Sequence, residues 1–216
     1  MTRRILLAGL VACLSTCRPQ QAPEPEYPGA LQEPSRFSVD FLLVQELLFR
    51  RGEVEEGMRT ALQHRGDTLT LVGLTPLGTR AFVLQQRGLD VSFTSYLPED
   101  ESLPFPPRFI LYDIQRTLLP VLDDRPLSDG EHRLELGDED VVERWRGHRL
   151  LERRYRRRDG DPSGELVITY GEGGYLFGTA PPSIEIDNGW LGYQLTLTTT
   201  SYQRLDGAGT TGSSLP

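Results

Sequence analysis

Apolar residues recur at every second position over most of this chain, and that period restricts what it can fold into more than any other feature. Leu69, Leu71 and Gly73 alternate with Thr68, Thr70 and Val72. Leu89, Val91 and Phe93 alternate with Asp90, Ser92 and Thr94, and Leu191, Tyr193, Leu195 and Leu197 with Gly192, Gln194, Thr196 and Thr198. Leu166 with Ile168, Ile184 with Ile186, and the series Val54, Met58 and Leu62 keep the same parity. A period of two marks strands with one apolar face. Arg51-Gly52, Arg65-Gly66-Asp67, Pro76-Leu77-Gly78, Arg87-Gly88, Asp159-Gly160-Asp161 and Asn188-Gly189 punctuate them, and several of these breaks are short enough for hairpins. The sheet is therefore expected to be largely antiparallel. Val39 to Phe49 is apolar on both parities and fits either a buried strand or a helix. It is read as a strand, because Gly52 and an alternating partner follow.

One segment breaks the rhythm. From Pro106 to Pro120 the chain starts on prolines and stops before one, with Ile110, Leu111, Ile114 and Leu118 at helical spacing. This predicts one helix over about residues 107–119, after five strands and before five or six more. A sheet of about ten strands with one apolar face must curl or be covered. The fold expected is mainly β, a curved antiparallel sheet of about 10–11 strands with the helix in its concave face.

The first residues, MTRRILLAGLVACLSTC, carry a different signal. Arg3 and Arg4 precede a short apolar run, Ile5 to Leu14, too short to span a bilayer as a helix. The run ends in Leu14-Ser15-Thr16-Cys17, which resembles a bacterial lipobox, where a peptidase cuts before a cysteine that becomes lipidated. Leu10-Val11-Ala12-Cys13 is a second match with a shorter apolar region. Cys17 is preferred, giving a signal peptide at 1–16. No cysteine follows it, so the exported chain holds no internal disulfide. Arg18 in place of an aspartate favours the periplasmic face of the outer membrane. Residues 17–35, with five prolines after the cysteine, read as an extended linker of about 50 Å reach. The folded domain is expected at 36–204, followed by a low-complexity tail at 205–216.

The search for chemistry mostly excludes it. The 216 residues contain 23 arginines and no lysine, so Schiff-base and phosphate-loop lysines are absent. The formal charge of −8 argues against nucleic-acid binding. His64, His132 and His148 have no partners at metal spacing. The acidic run Asp138 to Asp140 reads as a solvated turn. No catalytic residue, metal ligand or cofactor is assigned. The eight arginines between Arg144 and Arg158 reverse the local charge, and suit either anionic headgroups or an acidic partner, or a solubilising sheet edge. Leu74 and Leu77 flank a tight turn, where an apolar tip can be the lip of a cavity or a membrane-touching knob.

Two strings, Leu71-Val72-Gly73-Leu74-Thr75-Pro76-Leu77-Gly78-Thr79-Arg80-Ala81-Phe82 and Asn188-Gly189-Trp190-Leu191-Gly192-Tyr193-Gln194-Leu195-Thr196-Leu197, resemble a family of uncharacterised bacterial lipoproteins of the domain-of-unknown-function kind, often encoded with aryl-polyene lipid biosynthesis. That family is similar in layout to the LolA/LolB lipoprotein carriers. The resemblance implies an unclosed antiparallel β-barrel, a cavity for acyl chains and no catalytic residues. It also implies that the leucine turn sits where the LolB type has its protruding apolar loop. The candidate lipid-binding residues are Leu69, Leu71, Leu74, Leu77, Val83, Val91, Phe93, Ile110 and Ile114. The expected function is binding or transfer of a lipid or acyl chain. The alternative is an envelope-assembly lipoprotein with a protein partner, its concave face permanently filled by the helix.

Overall fold

The computed structural model describes residues 26–98, 103, 106–121 and 128–205. Cys13, Cys17, the signal peptide, the first part of the linker and the tail beyond residue 205 lie outside them. Eleven strands form one antiparallel sheet: β1 (Phe41–Arg51), β2 (Val54–Arg65), β3 (Thr68–Leu74), β4 (Arg80–Arg87), β5 (Asp90–Ser95), β6 (Gly130–Leu136), β7 (Glu139–Arg146), β8 (Arg149–Arg157), β9 (Glu165–Tyr170), β10 (Ser183–Asn188) and β11 (Tyr193–Arg204). Their order is β5-β4-β3-β2-β1-β11-β10-β9-β8-β7-β6, so β5 and β6 are free edges and the barrel is unclosed. The single α-helix among the described residues, α1 (Pro107–Leu118), joins the two edges in sequence and packs in the concave face. Val39 to Phe49 resolves as a strand, as the following glycine turn suggested.

Hairpin chemistry explains the sharp reversals. At the β7–β8 turn Gly147 and His148 both take left-handed backbone angles, with φ of 56° and 59°. Two successive left-handed residues define the turn whose twist matches that of paired strands. By register, the β1–β2, β3–β4 and β10–β11 turns share one end of the sheet.

The concave face holds Phe41, Leu43 and Phe49 of β1, Leu69 and Leu71 of β3, Leu84 of β4, Leu166 and Ile168 of β9, and Ile184 and Ile186 of β10, all buried. Register is set by these rows, because a one-residue slip would turn each of them to solvent. Gly73 faces Phe82 across the β3–β4 pair, and a Cβ there would lie 2.3 Å from the Phe82 ring. Only glycine leaves that ring its place on the concave side.

Two expectations are corrected at this level. Residues 26–35 are not an extended linker. They lie as a strap over α1, with Tyr27 3% and Leu31 7% exposed, and end in a 3-10 turn at Pro34–Arg36. The acidic run is not wholly solvated: Glu139 is 2% exposed and paired with Arg116.

Candidate functional site

The helix is held by polar side chains at one end and borders an apolar cavity along one flank. Ile110 and Ile114 are half-buried; Phe109, Leu111 and Leu118 are buried. Asp113, Gln115, Arg116 and Thr117 are buried too, because the sheet lies on one side of the helix and the strap on the other. An amphipathic helix on a sheet would leave such residues in water.

The last turn of a helix has carbonyls with no partner of its own and carries the negative end of the helix dipole. Here the Arg116 carbonyl accepts from Arg153 Nη1 and from the Tyr155 hydroxyl. The Tyr170 hydroxyl donates to the Thr117 carbonyl at 2.6 Å and the Tyr175 hydroxyl to the Leu118 carbonyl at 2.9 Å. Arg153 also reaches the Leu119 carbonyl at 2.9 Å. Its charge is matched by Glu143 at 2.7 Å, which accepts as well from the Trp145 indole. All four carbonyls from Arg116 to Leu119 are thus satisfied by donors on or beside β8 and β9.

A second cluster ties strap to helix. Tyr27 and Tyr193 donate to the two carboxylate oxygens of Asp113. Burial pushes the Asp113 carboxyl up to about 6, against the opposing pull of those hydrogen bonds and of Arg116. Burial and the Asp113 charge raise both tyrosines. Arg116 Nη2 donates to Glu139 and to the Pro28 carbonyl, with its guanidinium 4.3 Å from the centre of the Tyr155 ring. The Tyr27 ring stacks on Tyr112 at 4.7 Å. The Gln32 backbone pairs in both directions with the Gln115 amide.

On the opposite flank, between α1 and strands β1–β4, β10 and β11, lies a cavity of about 90 Å³. Its wall is almost wholly aliphatic and aromatic, with Leu47, Met58, Leu71 and Phe82 facing Ile110 and Ile114. The volume is below the ~150 Å³ that houses benzene in an engineered protein core. With α1 seated, the space takes only part of a hydrocarbon chain.

The structure brings three of the candidate residues together at this cavity: Leu71, Ile110 and Ile114. Leu69 is fully buried in the core one step along β3. Val91 and Phe93 pair with Gln86 and Leu84 on the edge strand and share the concave side without lining the cavity. Val83 is opposite Thr94 and Val72, on the convex face, because Phe82 and Leu84 take the inward positions. Leu74 has the outward parity of β3, and Leu77 stands 92% exposed at the turn tip, where Gly78 closes the turn onto Thr75. Sequence reading missed Asp113, Arg116, Arg153 and the strap tyrosine. The signal available was the polar run Asp113, Gln115, Arg116 and Thr117 interleaved with the apolar positions of a helix between prolines.

The arginine-rich stretch does not make a bare basic patch. Arg153 is fully buried, Arg144 and Arg154 pair with Glu152, Arg157 with Asp159, and Arg158 with Glu135 and Asp140. His64 is buried at the end of β2 and bonds the Val39 and Gly66 carbonyls. Among the described residues no group of His, Cys, Asp and Glu is placed to hold a metal, and no helix is long and apolar enough to cross a membrane.

The described residues thus form an open antiparallel sheet curled around one helix, with an apolar cavity beneath it. Residues 42–201 match the model of a family described as protein of unknown function, DUF3261, and the chain belongs to that family. No curated protein matches the sequence. Among solved structures, the chain is similar in fold to a domain from Vibrio parahaemolyticus described as an outer membrane lipoprotein-sorting protein. The TM-score is 0.51 at 15% identity, covering 81% of this chain and 89% of that one. A LolA superfamily protein from Nitrosomonas europaea overlaps more loosely, with a TM-score of 0.43 at 13% identity over 80% of this chain and 88% of that one.

Proposed function

We propose that this chain is a non-catalytic carrier that binds acyl chains in the bacterial envelope, held by a lipid on Cys17 at the periplasmic face of the outer membrane. The observation that carries the reading is the apolar cavity between α1 and β1–β4. Burial of hydrocarbon contributes about 0.8 kcal/mol per methylene, so a chain laid along this wall needs no polar contact to bind. The seated helix leaves too little room for a whole chain, so entry requires Ile110 and Ile114 to move outward while the moored C-terminal turn acts as the pivot. The sorting-protein domain similar in fold is consistent with such a role.

Native mass spectrometry of a chain starting at residue 18, which keeps every described residue, tests this. The expected result is a population carrying one lipid. Absence of any bound lipid, with none taken up from vesicles, would sink the reading.

The turn tip supplies a second test. Leu77 sits at the same end of the sheet as Tyr27, from which the chain runs back toward Cys17. In this reading the exposed leucine touches the membrane that holds the anchor. Leu77→Glu is expected to slow lipid transfer between vesicles several-fold. The thermal midpoint should move by less than about 2 °C, since an exposed side chain contributes little packing. Global unfolding of Leu77→Glu would place Leu77 in the core.

A further inference from the structure

We propose that the cavity selects acyl chains whose polar end carries no negative charge, such as glycerol esters, amides and alcohols, and discriminates against free fatty acids. This rests on the chain-binding reading above and names the ligand class for the same site. No residue of the cavity wall is an arginine or a histidine, whereas two are carboxylates, Glu56 and Asp113. Glu56 is exposed and stands at the rim beside Phe49. Asp113 is buried at the helix side, and both its oxygens are already taken by tyrosine hydroxyls. The other polar atoms of the wall belong to Gln45, Thr60 and Thr117, all neutral. Of these, the Thr117 hydroxyl is buried and has no hydrogen-bond partner, so the wall offers a neutral head one donor and no cation.

Arg51, exposed at the same end beside Tyr193, is outside the wall and already engaged. Arg116 and Arg153, the buried arginines of the helix mooring, are committed to Glu139 and Glu143.

A carboxylate brought to such a wall loses water without gaining a counter-charge, and meets like charge at the rim. An ester or alcohol head incurs neither penalty. Burial pushes the Asp113 carboxyl up to about 6, so the comparison is made at pH 8, where it carries its charge.

Displacement of the uncharged dye N-phenyl-1-naphthylamine from the chain starting at residue 18 measures this at pH 8. Monopalmitoylglycerol and palmitate would be compared below their aggregation limits. Monopalmitoylglycerol is expected to displace the dye at a concentration at least tenfold lower. Glu56→Arg is expected to raise the affinity for palmitate relative to monopalmitoylglycerol at least threefold. Equal displacement, or stronger displacement by palmitate, overturns the head-group selectivity and leaves chain binding standing. Displacement by neither compound removes the chain-binding reading itself.

Discussion

Replacing Arg153 with methionine is expected to lower the unfolding free energy by about 3–5 kcal/mol, the range found when one partner of a buried ion pair is removed. For a domain of this size that is on the order of 10 °C in thermal midpoint. Arg153 has no exposed surface, and its guanidinium joins Glu143 to the carbonyls of Arg116 and Leu119. Methionine fills much of the volume but leaves Glu143 buried with only the Trp145 indole for company; the Leu119 carbonyl loses its donor, and the Arg116 carbonyl keeps only the Tyr155 hydroxyl. The double replacement Glu143→Leu with Arg153→Met removes both charges and is expected to recover a large part of the loss. Urea denaturation of the single and double variants checks this. A single variant within 1 kcal/mol of the parent would mean that the helix terminus does not depend on this mooring.

The second large effect is a pH dependence of opposite sign to that of the surface carboxylates. Asp113 is pushed from an ordinary 3.8 up to about 6 by burial. A carboxyl with a raised folded-state pKa prefers its proton when folded. Its contribution is therefore fully present below about pH 4 and is lost as pH rises through about 6. The difference corresponds to roughly 3 kcal/mol at most. Exposed Asp67 and Asp159, lowered by hydrogen bonds from Thr68 and Arg157 respectively, act the other way and gain as pH rises. Asp113→Asn keeps one acceptor for the tyrosines and cannot ionise. Relative to Asp113→Asn, the parent chain is expected to be more stable at pH 4 than at pH 7.5 by about 2–3 kcal/mol. Urea titrations at the two values measure it, and a difference that does not change with pH would show that Asp113 titrates alike in both states.

Much of the architecture was legible because a period of two leaves little choice. The rows through Leu69 and Leu71, through Ile184 and Ile186, and through Tyr193 and Leu195 are the buried rows of the structure. The helix between its prolines is where the apolar spacing put it. What failed was whatever depended on a neighbour distant in sequence. Val83 read as an inward residue, but an irregularity in the β3–β4 pairing at Gly73 and Leu74 gives the inward positions to Phe82 and Leu84. Arg153 was not told apart from the other arginines of its stretch, since nothing local distinguishes it from Arg154. It is inward because the β7–β8 register shifts between Arg144 and Trp145. The strap read as a free linker from its prolines, yet Tyr27 is fixed by Asp113, 86 positions away. Of the candidate site, the apolar lining was accessible to periodicity. The polar mooring depends on pairings that no local pattern encodes.

The strand order also bears on how the chain reaches this state. From β1 to β5, and again from β6 to β11, every pairing is between strands consecutive in the sequence. Each half is a succession of hairpins between neighbouring strands, so each pairing closes only a short loop. The one exception is the seam between β1 and β11, where Phe41 meets Arg204 and Arg50 meets Gln194. The entropy of closing a loop of nearly the whole domain therefore falls on this single junction. The seam lies at the middle of the sheet, so the first and last strands of the domain become its central pair. The Leu205 amide then donates to the Asp40 carbonyl at 2.8 Å, bringing the domain's two ends side by side.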